Sequence, residues 1–133
     1  MNHALLVGLD GLFFALHTAL IGFNLVGWAW RRTRVAHRVV VGLTAFSWFV
    51  MGGYYGWGYC LCTDWHFQVR RALSKPIRET SFLQLLARSV GLTLNRDASN
   101  RLAAGVFAAI VVATVLAWIA DRRRIRGPES RQP

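Results

Sequence analysis

Long apolar runs, punctuated by clusters of arginine, set the pattern of this chain. Three runs stand out. Ala4 to Trp30 is broken only by Asp10, His17, Thr18 and Asn24. Val39 to Tyr59 carries Thr44, Ser47 and tyrosine hydroxyls. Leu102 to Ala120 has Thr114 as its single polar side chain. A helix needs about 20 apolar residues to cross the hydrocarbon core of a bilayer, and a helix satisfies its own backbone there. The pattern predicts an all-α integral membrane bundle of three transmembrane helices, with spans at about 4–30, 39–59 and 102–120. They form one membrane domain over residues 1–126, followed by a flexible tail at 127–133 that contains Gly127 and Pro128. The first run has no basic start and no small-residue cleavage pattern before Arg31, so it reads as a span and not as a removed signal.

Between the second and third spans lies a polar loop, residues 60–101, with one or two short interfacial helices. Thr63 is the expected N-cap of the first, at 64–74. Trp65, Val69, Ala72 and Leu73 share one face of it, Asp64, Gln68 and Arg71 another, and Pro76 ends it. The expected position of this helix is flat on the membrane surface. Ser81 and Gln84 have capping-box spacing. Phe82, Leu85, Leu86 and Val90 then form an apolar stripe, and Gly91 closes a second helix too short to span.

Composition changes the picture in one respect. The chain has 133 residues and is 54% hydrophobic, yet its formal net charge is +10. In a soluble domain such charge would point to nucleic acid. Here Arg31, Arg32, Arg34 and Arg38 form one cluster and Arg122, Arg123, Arg124, Arg126 and Arg131 another, each beside an apolar run. Basic residues that flank spans contact lipid headgroups, which argues for a bilayer partner and against nucleic acid. Basic loops stay in the cytoplasm. The expected location is the bacterial inner membrane, multi-pass, with the N-terminus and the 60–101 loop outside and the C-terminus inside.

Small residues recur every four positions at Gly11, Ala15 and Ala19 and at Gly105, Ala109, Ala113 and Ala117. Such stripes let helices approach closely in lipid. Packing among the three spans is the simplest use for them, and a membrane partner or homo-oligomer is the other.

The polar residues of the first span have their own spacing. Asp10, His17 and Asn24 lie seven apart, nearly two helical turns, so they share one face. Measured from Arg31 at the rise of an α-helix, Asp10 lies about 31 Å away, near the outer interface, with His17 roughly 10 Å deeper. Polar groups in a bilayer face protein or water. The plain expectation is hydrogen bonding of His17 or Asn24 to Ser47, Thr44 or a backbone carbonyl. The alternative is a ligand site or a proton path.

The densest chemistry follows the second span, at Gly56-Trp57-Gly58-Tyr59-Cys60-Leu61-Cys62-Thr63-Asp64-Trp65-His66. Trp57, Tyr59 and Trp65 suit an interfacial aromatic belt. Cys60, Cys62 and His66 are candidate ligands for zinc or copper, though a CxC with one histidine is a weak spacing. A Cys60–Cys62 disulfide would demand a tight turn. The candidate polar cluster is Asp10, His17, Asn24, Cys60, Asp64 and His66, with Asp10 level with Cys60, Asp64 and His66 and with His17 just below.

The Gly56-Trp57-Gly58-Tyr59-Cys60 run, the Thr63-Asp64-Trp65-His66 run after it, and His17 followed by Asn24 and Gly27-Trp28 resemble the signature of a small bacterial membrane family, domain-of-unknown-function family 2784. The resemblance extends from about Phe13 to Ala120. It implies a membrane protein and no particular substrate. In that family the position of Cys62 need not be cysteine, which disfavours a mechanism that requires both thiols.

Three functional classes stay open. One is an accessory or interaction module without catalysis. Another is a membrane protein that binds a metal, haem, quinone or lipid at the polar cluster. The last is an interfacial enzyme with His66 as base, oriented by Asp64 or Asp10. Gly-rich nucleotide loops, nucleophile elbows and zincin motifs are all missing from the sequence.

Overall fold

The computed structural model describes residues 2–126; the expected tail at 127–133 lies outside the described residues. Among those residues it contains five helices and no strand: α1 (His3–Val26), α2 (Arg34–Tyr55), α3 (Leu61–Ala72), α4 (Phe82–Ser89) and α5 (Arg96–Arg126). Helices α1, α2 and α5 are long and apolar enough to cross a membrane. The fold is the expected all-α bundle.

Each span differs at its ends from the apolar run that marks it. Helix α1 ends at Gly27, four residues before Arg31. Helix α2 begins at Arg34, five residues ahead of Val39, so half of the arginine cluster forms its first turns. Helix α5 begins six residues ahead of Leu102, where the Asn95 side chain accepts from the Ala98 N–H at 2.7 Å. The turn between α1 and α2 is therefore tight. Thr33 donates its hydroxyl to the Gly27 carbonyl at 2.7 Å, and Arg34 donates Nε to the Trp28 carbonyl at 2.9 Å. Arg34 also pairs with Asp121 at 2.5 Å, which fastens this end of α2 to α5.

Helix α2 is not uniform. Ser47–Met51 winds as a π-turn, a form that introduces an extra residue into an α-helix and is often found at functional sites. After Tyr55, Gly56 and Gly58 adopt φ of 110° and 77°, conformations open to glycine and costly for other residues. They turn the chain back along α2, and the Ser47 hydroxyl donates to the Tyr59 carbonyl at 2.9 Å. Ser47 lies eight residues before Tyr55, so the chain dips about 12 Å back into the bundle before α3 begins.

That dip corrects the expected placement of the loop. Helix α3 starts at Leu61 with Cys60 as its N-cap, and Thr63, the residue expected to cap it, is buried in the first turn. The helix does not lie flat with Trp65 inward. Its buried residues are Thr63, His66, Phe67 and Val69, while Trp65 is half exposed. It packs antiparallel along α1. Helix α4 follows the expectation more closely: Ser81 caps it, accepting from the Gln84 N–H at 3.3 Å. The Gln84 side chain, however, accepts from Thr80 and not from Ser81. Val90 is exposed and outside the apolar stripe.

Two apolar cores result. Phe67, Phe82 and Leu85 pack with Phe14, Ile21 and Ile77 between α1, α3 and α4. Val41, Phe107 and Ile110 pack with Ala45 and Trp48 between α2 and α5. Neither core uses the small-residue stripes as expected. Gly11, Ala15, Ala19, Gly105 and Ala109 face outward, and only Ala113 and Ala117 are half-buried. The large residues one or two positions away take the interior, because three spans and two short helices leave wide gaps that small side chains cannot fill.

Candidate functional site

The seven-residue row on α1 does line the interior. His17 and Asn24 are buried and Asp10 is half-buried. What faces the row was legible only in part. Asp10 meets His66: Nε2 of the imidazole lies 2.8 Å from Oδ1 of the carboxylate. His17 meets Cys60, with Nε2 at 3.9 Å from Sγ. As the α1 position rises by seven, the α3 partner falls by six, which is antiparallel packing of two helices in register. Cys60 therefore sits level with His17, about 10 Å deeper than Asp10, and not level with Asp10 as expected. The dip after Tyr55 is the cause.

Asp10 is the hub of this column. Besides His66 it holds Lys75 at 2.6 Å through Oδ2, and Arg70 lies 3.6 Å from Oδ1. Sequence reasoning found neither cation, since both stand in a loop of scattered basic residues. The i, i+4 spacing of Arg70 from His66 is the signal that a helix reading of this stretch could have used. His66 is completely buried. With Nε2 turned to Asp10, Nδ1 is the ring's other polar atom, and it is buried without a partner. Nδ1 of His17 and Nε of Arg70 are likewise buried and unpartnered. A buried polar atom left unsatisfied costs about 1–3 kcal/mol, so three such atoms on one flank of the bundle ask for a hydrogen-bonding occupant.

Phe82 fills the space they border. Its ring stacks on His17 at 4.1 Å between centroids and lies 6.1 Å from His66 and 5.5 Å from Phe14. It belongs to α4, held down by the Ser81–Ser99 hydroxyl pair at 2.9 Å and by the Gln84 amide donating to the Leu94 carbonyl at 3.1 Å.

The rest of the predicted cluster lies elsewhere. Asp64 accepts from Gln68 at 2.8 Å on the outer side of α3. Asn24 stands near the opposite end of α1; its amide donates to the Leu20 carbonyl of its own helix at 3.1 Å. Thr44 bonds to Val40 within its own helix, so the row makes no bond to Ser47 or Thr44. The backbone carbonyl of Asn24 accepts from Nε2 of His37 at 2.9 Å. His37, completely buried, was hidden in sequence among arginines; a helix started at Thr33 would have put it on the same face as Val41 and Trp48.

The sulfur atoms do not gather a metal set. Cys60 and Cys62 are free thiols. Burial, and then the adjacent Cys60, push the Cys62 thiol above its ordinary range. His66 turns to Asp10 and away from both, and among the described residues no three His, Cys, Asp or Glu side chains converge to hold a metal ion. Of the expected interfacial aromatics Trp57 and Trp65 are exposed, as are Tyr54 and Tyr55 beside them and Trp28, Trp30 and Trp118 toward the other end of the spans, while Tyr59 is half-buried and stacks on Tyr55 at 4.7 Å.

Neither a curated protein nor a solved structure matches the chain. Residues 8–119, from two residues before Asp10 to the last apolar turn of α5, match the family described as Protein of Unknown function (DUF2784). The paired columns, the glycine-turned dip and the His-bearing α3 are thus features of a member of that family, to which this chain belongs.

Proposed function

We propose that this protein is a multi-pass protein of the bacterial inner membrane, with its N-terminus and the 60–101 loop outside and its C-terminus in the cytoplasm, and that it binds a small ligand in the column between α1 and α3. The observation that supports this reading is the pair of buried imidazoles, His17 and His66, each with an unpartnered Nδ1, on either side of Phe82. Asp10 fixes the tautomer of His66 and leaves its Nδ1 as an acceptor, an arrangement also used to orient a base. The ligand would offer at least one hydroxyl or N–H to His66 and a flat apolar body to the position of Phe82. Donor chemistry of this sort suits the head of a membrane-soluble molecule. A proton accepted at Nδ1 would be matched by release of the Nε2 proton to the Asp10 carboxylate, the one acceptor that ring nitrogen has.

The test is native mass spectrometry of protein extracted from its own membrane in mild detergent. A stoichiometric small-molecule adduct is expected on the wild type. It should vanish in His66→Ala while the helical circular dichroism remains. An adduct-free wild type, or an adduct indifferent to His66→Ala, refutes the reading.

A second reading is an accessory module that packs against a partner or another copy. It is favoured by the outward-facing stripe Gly11, Ala15 and Ala19, since lipid-exposed small residues are the usual contact between membrane helices. Cross-linking from cysteines placed along that stripe tests it, and a monomer without partners ends it.

A further inference from the structure

On the opposite flank of the bundle, α2 and α5 diverge around a groove of about 400 Å³, within the range of small-ligand pockets. Its walls are almost wholly apolar. Phe49 and Trp57, in edge-to-face contact at 5.2 Å, form one side, and Ala104, Ala108 and Val112 the other. Trp48 packed on Phe107 at 5.1 Å makes the floor. The groove has two structural causes. The π-turn at Ser47–Met51 shifts Trp48 and Phe49 relative to the rest of α2. The alanines of α5 leave opposite them the space a larger side chain would take.

Arg101 stands at one end of this groove. Positions 101, 104, 108 and 112 fall on one line along α5, and helical side chains tilt toward the N-terminus of their helix, so the exposed Arg101 lies one turn beyond Ala104 on the side of α5 that forms the groove. Arg70, Lys75 and Arg88 of the 60–101 loop are each drawn to a carboxylate. Among the described residues no carboxylate pairs with Arg101. From Arg101 to Val112 the groove runs about 16 Å along the helix, close to half of a hydrocarbon core of roughly 30 Å.

From these features we infer that the groove is a binding site for an anionic phospholipid, with the headgroup phosphate on Arg101 and one acyl chain laid between α2 and α5. An apolar trough one leaflet deep, closed by aromatic side chains and headed by an unpaired guanidinium at the interface, matches a single lipid in length, polarity and charge. An arginine binds a phosphate with two parallel hydrogen bonds, and it retains its charge at the interface by snorkelling. The site is independent of the column between α1 and α3 and of which way the chain crosses the membrane.

Native mass spectrometry of the delipidated protein, titrated with phosphatidylglycerol and with phosphatidylcholine of the same chains, tests the inference. The wild type should hold one phosphatidylglycerol about fivefold more tightly than phosphatidylcholine, the preference that one interfacial basic residue confers. Arg101→Gln should bring the two affinities together. Ala108→Trp, which fills the trough, should abolish tight binding of both, while Val106→Trp, at an exposed position on the other side of α5, should leave binding intact. Equal affinity of the wild type for the two lipids overturns the inference, as does a folded Ala108→Trp that binds like the wild type. If Ala108→Trp does not fold, Arg101→Gln decides: a preference retained there refutes the site.

Discussion

The two ends of α1 each bury a histidine from another helix, in both cases with Nε2 bonded to α1 and Nδ1 unpartnered, but the acceptors differ in kind. Near one end, His66 of α3 is held by the Asp10 side chain, which also holds Lys75 and approaches Arg70. Near the other, His37 of α2 is held by the Asn24 backbone carbonyl. A backbone carbonyl cannot rotate away or change charge, so His37 reads as a fixed joint between α1 and α2. The carboxylate at Asp10 shares its two oxygens among three partners and can exchange one for another, as the proposed binding column requires. Complete burial of an imidazole thus says little about its role; the nature of its partner says more.

The largest effect should come from Asp10→Ala. It would leave the buried Nε2–H of His66 without an acceptor and the half-buried Arg70 beside no counter-charge, and breaking a buried pair by removing one member costs about 3–5 kcal/mol. Because Lys75 is partly exposed, the lower end of that range is expected, read as a drop in the unfolding midpoint of detergent-solubilised protein. Asp10→Asn should lose much less, since its amide oxygen still accepts from His66 Nε2. If the two substitutions cost the same, hydrogen bonding at Asp10 is not what holds the column.

His37→Ala comes next. It deletes a fully buried ring and frees the Asn24 carbonyl, a loss of about 2–3 kcal/mol, with ligand binding unaffected once the protein is folded. His66→Ala should show the reverse balance, losing the ligand adduct before the fold. Should His37→Ala abolish the adduct while stability stays near wild type, the division between a fixed joint and a binding column fails.

Gly27 sharpens the same contrast from the backbone. A Cβ there would meet His37 Cδ2 and the Phe23 carbonyl at 2.7 Å each. The obstacle is partly backbone and partly a ring without free space, so Gly27→Ala should cost about 1–3 kcal/mol by overpacking. Gly11→Ala, at a site where nothing lies within 4 Å, should be neutral or slightly stabilising, since alanine is the better helix former. Parallel melting curves of the two variants make the comparison.

How much of this was legible in the sequence follows from what each feature depends on. The spans were legible because bilayer thickness demands a long apolar run whatever the tertiary fold. The seven-residue row predicted the buried face of α1 because a single helix sets its own periodicity. Asp10–His66 and His17–Cys60 could be named as members of one cluster, yet their pairing could not be read. Pairing depends on how far the chain dips after Gly56, and that is fixed by two positive-φ glycines and one hydroxyl bond from Ser47. The stripe of Gly105 and Ala109 was misjudged for a related reason: small residues permit close approach, but the interior here needed volume, and Phe107 and Ile110 supplied it.

The smallest expected effect concerns α4, which covers the column between α1 and α3 and has no counterpart at the His37 end. Glu79 is buried and pairs with Arg88 at 2.8 Å. Burial alone would raise its carboxyl, but the Arg88 hydrogen bond, backbone N–H groups and the Arg88 charge outweigh it and hold the carboxyl below its ordinary value of 4.5. A carboxylate whose folded pKa lies below its unfolded one binds protons more readily when unfolded. Its contribution to stability is therefore complete above pH 4.5 and fades as pH falls through the lower folded value. Arg88 is half exposed, so the contribution is a small one. Glu79→Gln should lower the melting temperature slightly at pH 6 and by progressively less below pH 4.5, where the wild type loses the same charge. A gap between the two proteins that stays constant down to pH 3 would mean that the Glu79–Arg88 pair does not fasten α4, leaving the Ser81–Ser99 and Gln84–Leu94 bonds to hold Phe82 over the histidines.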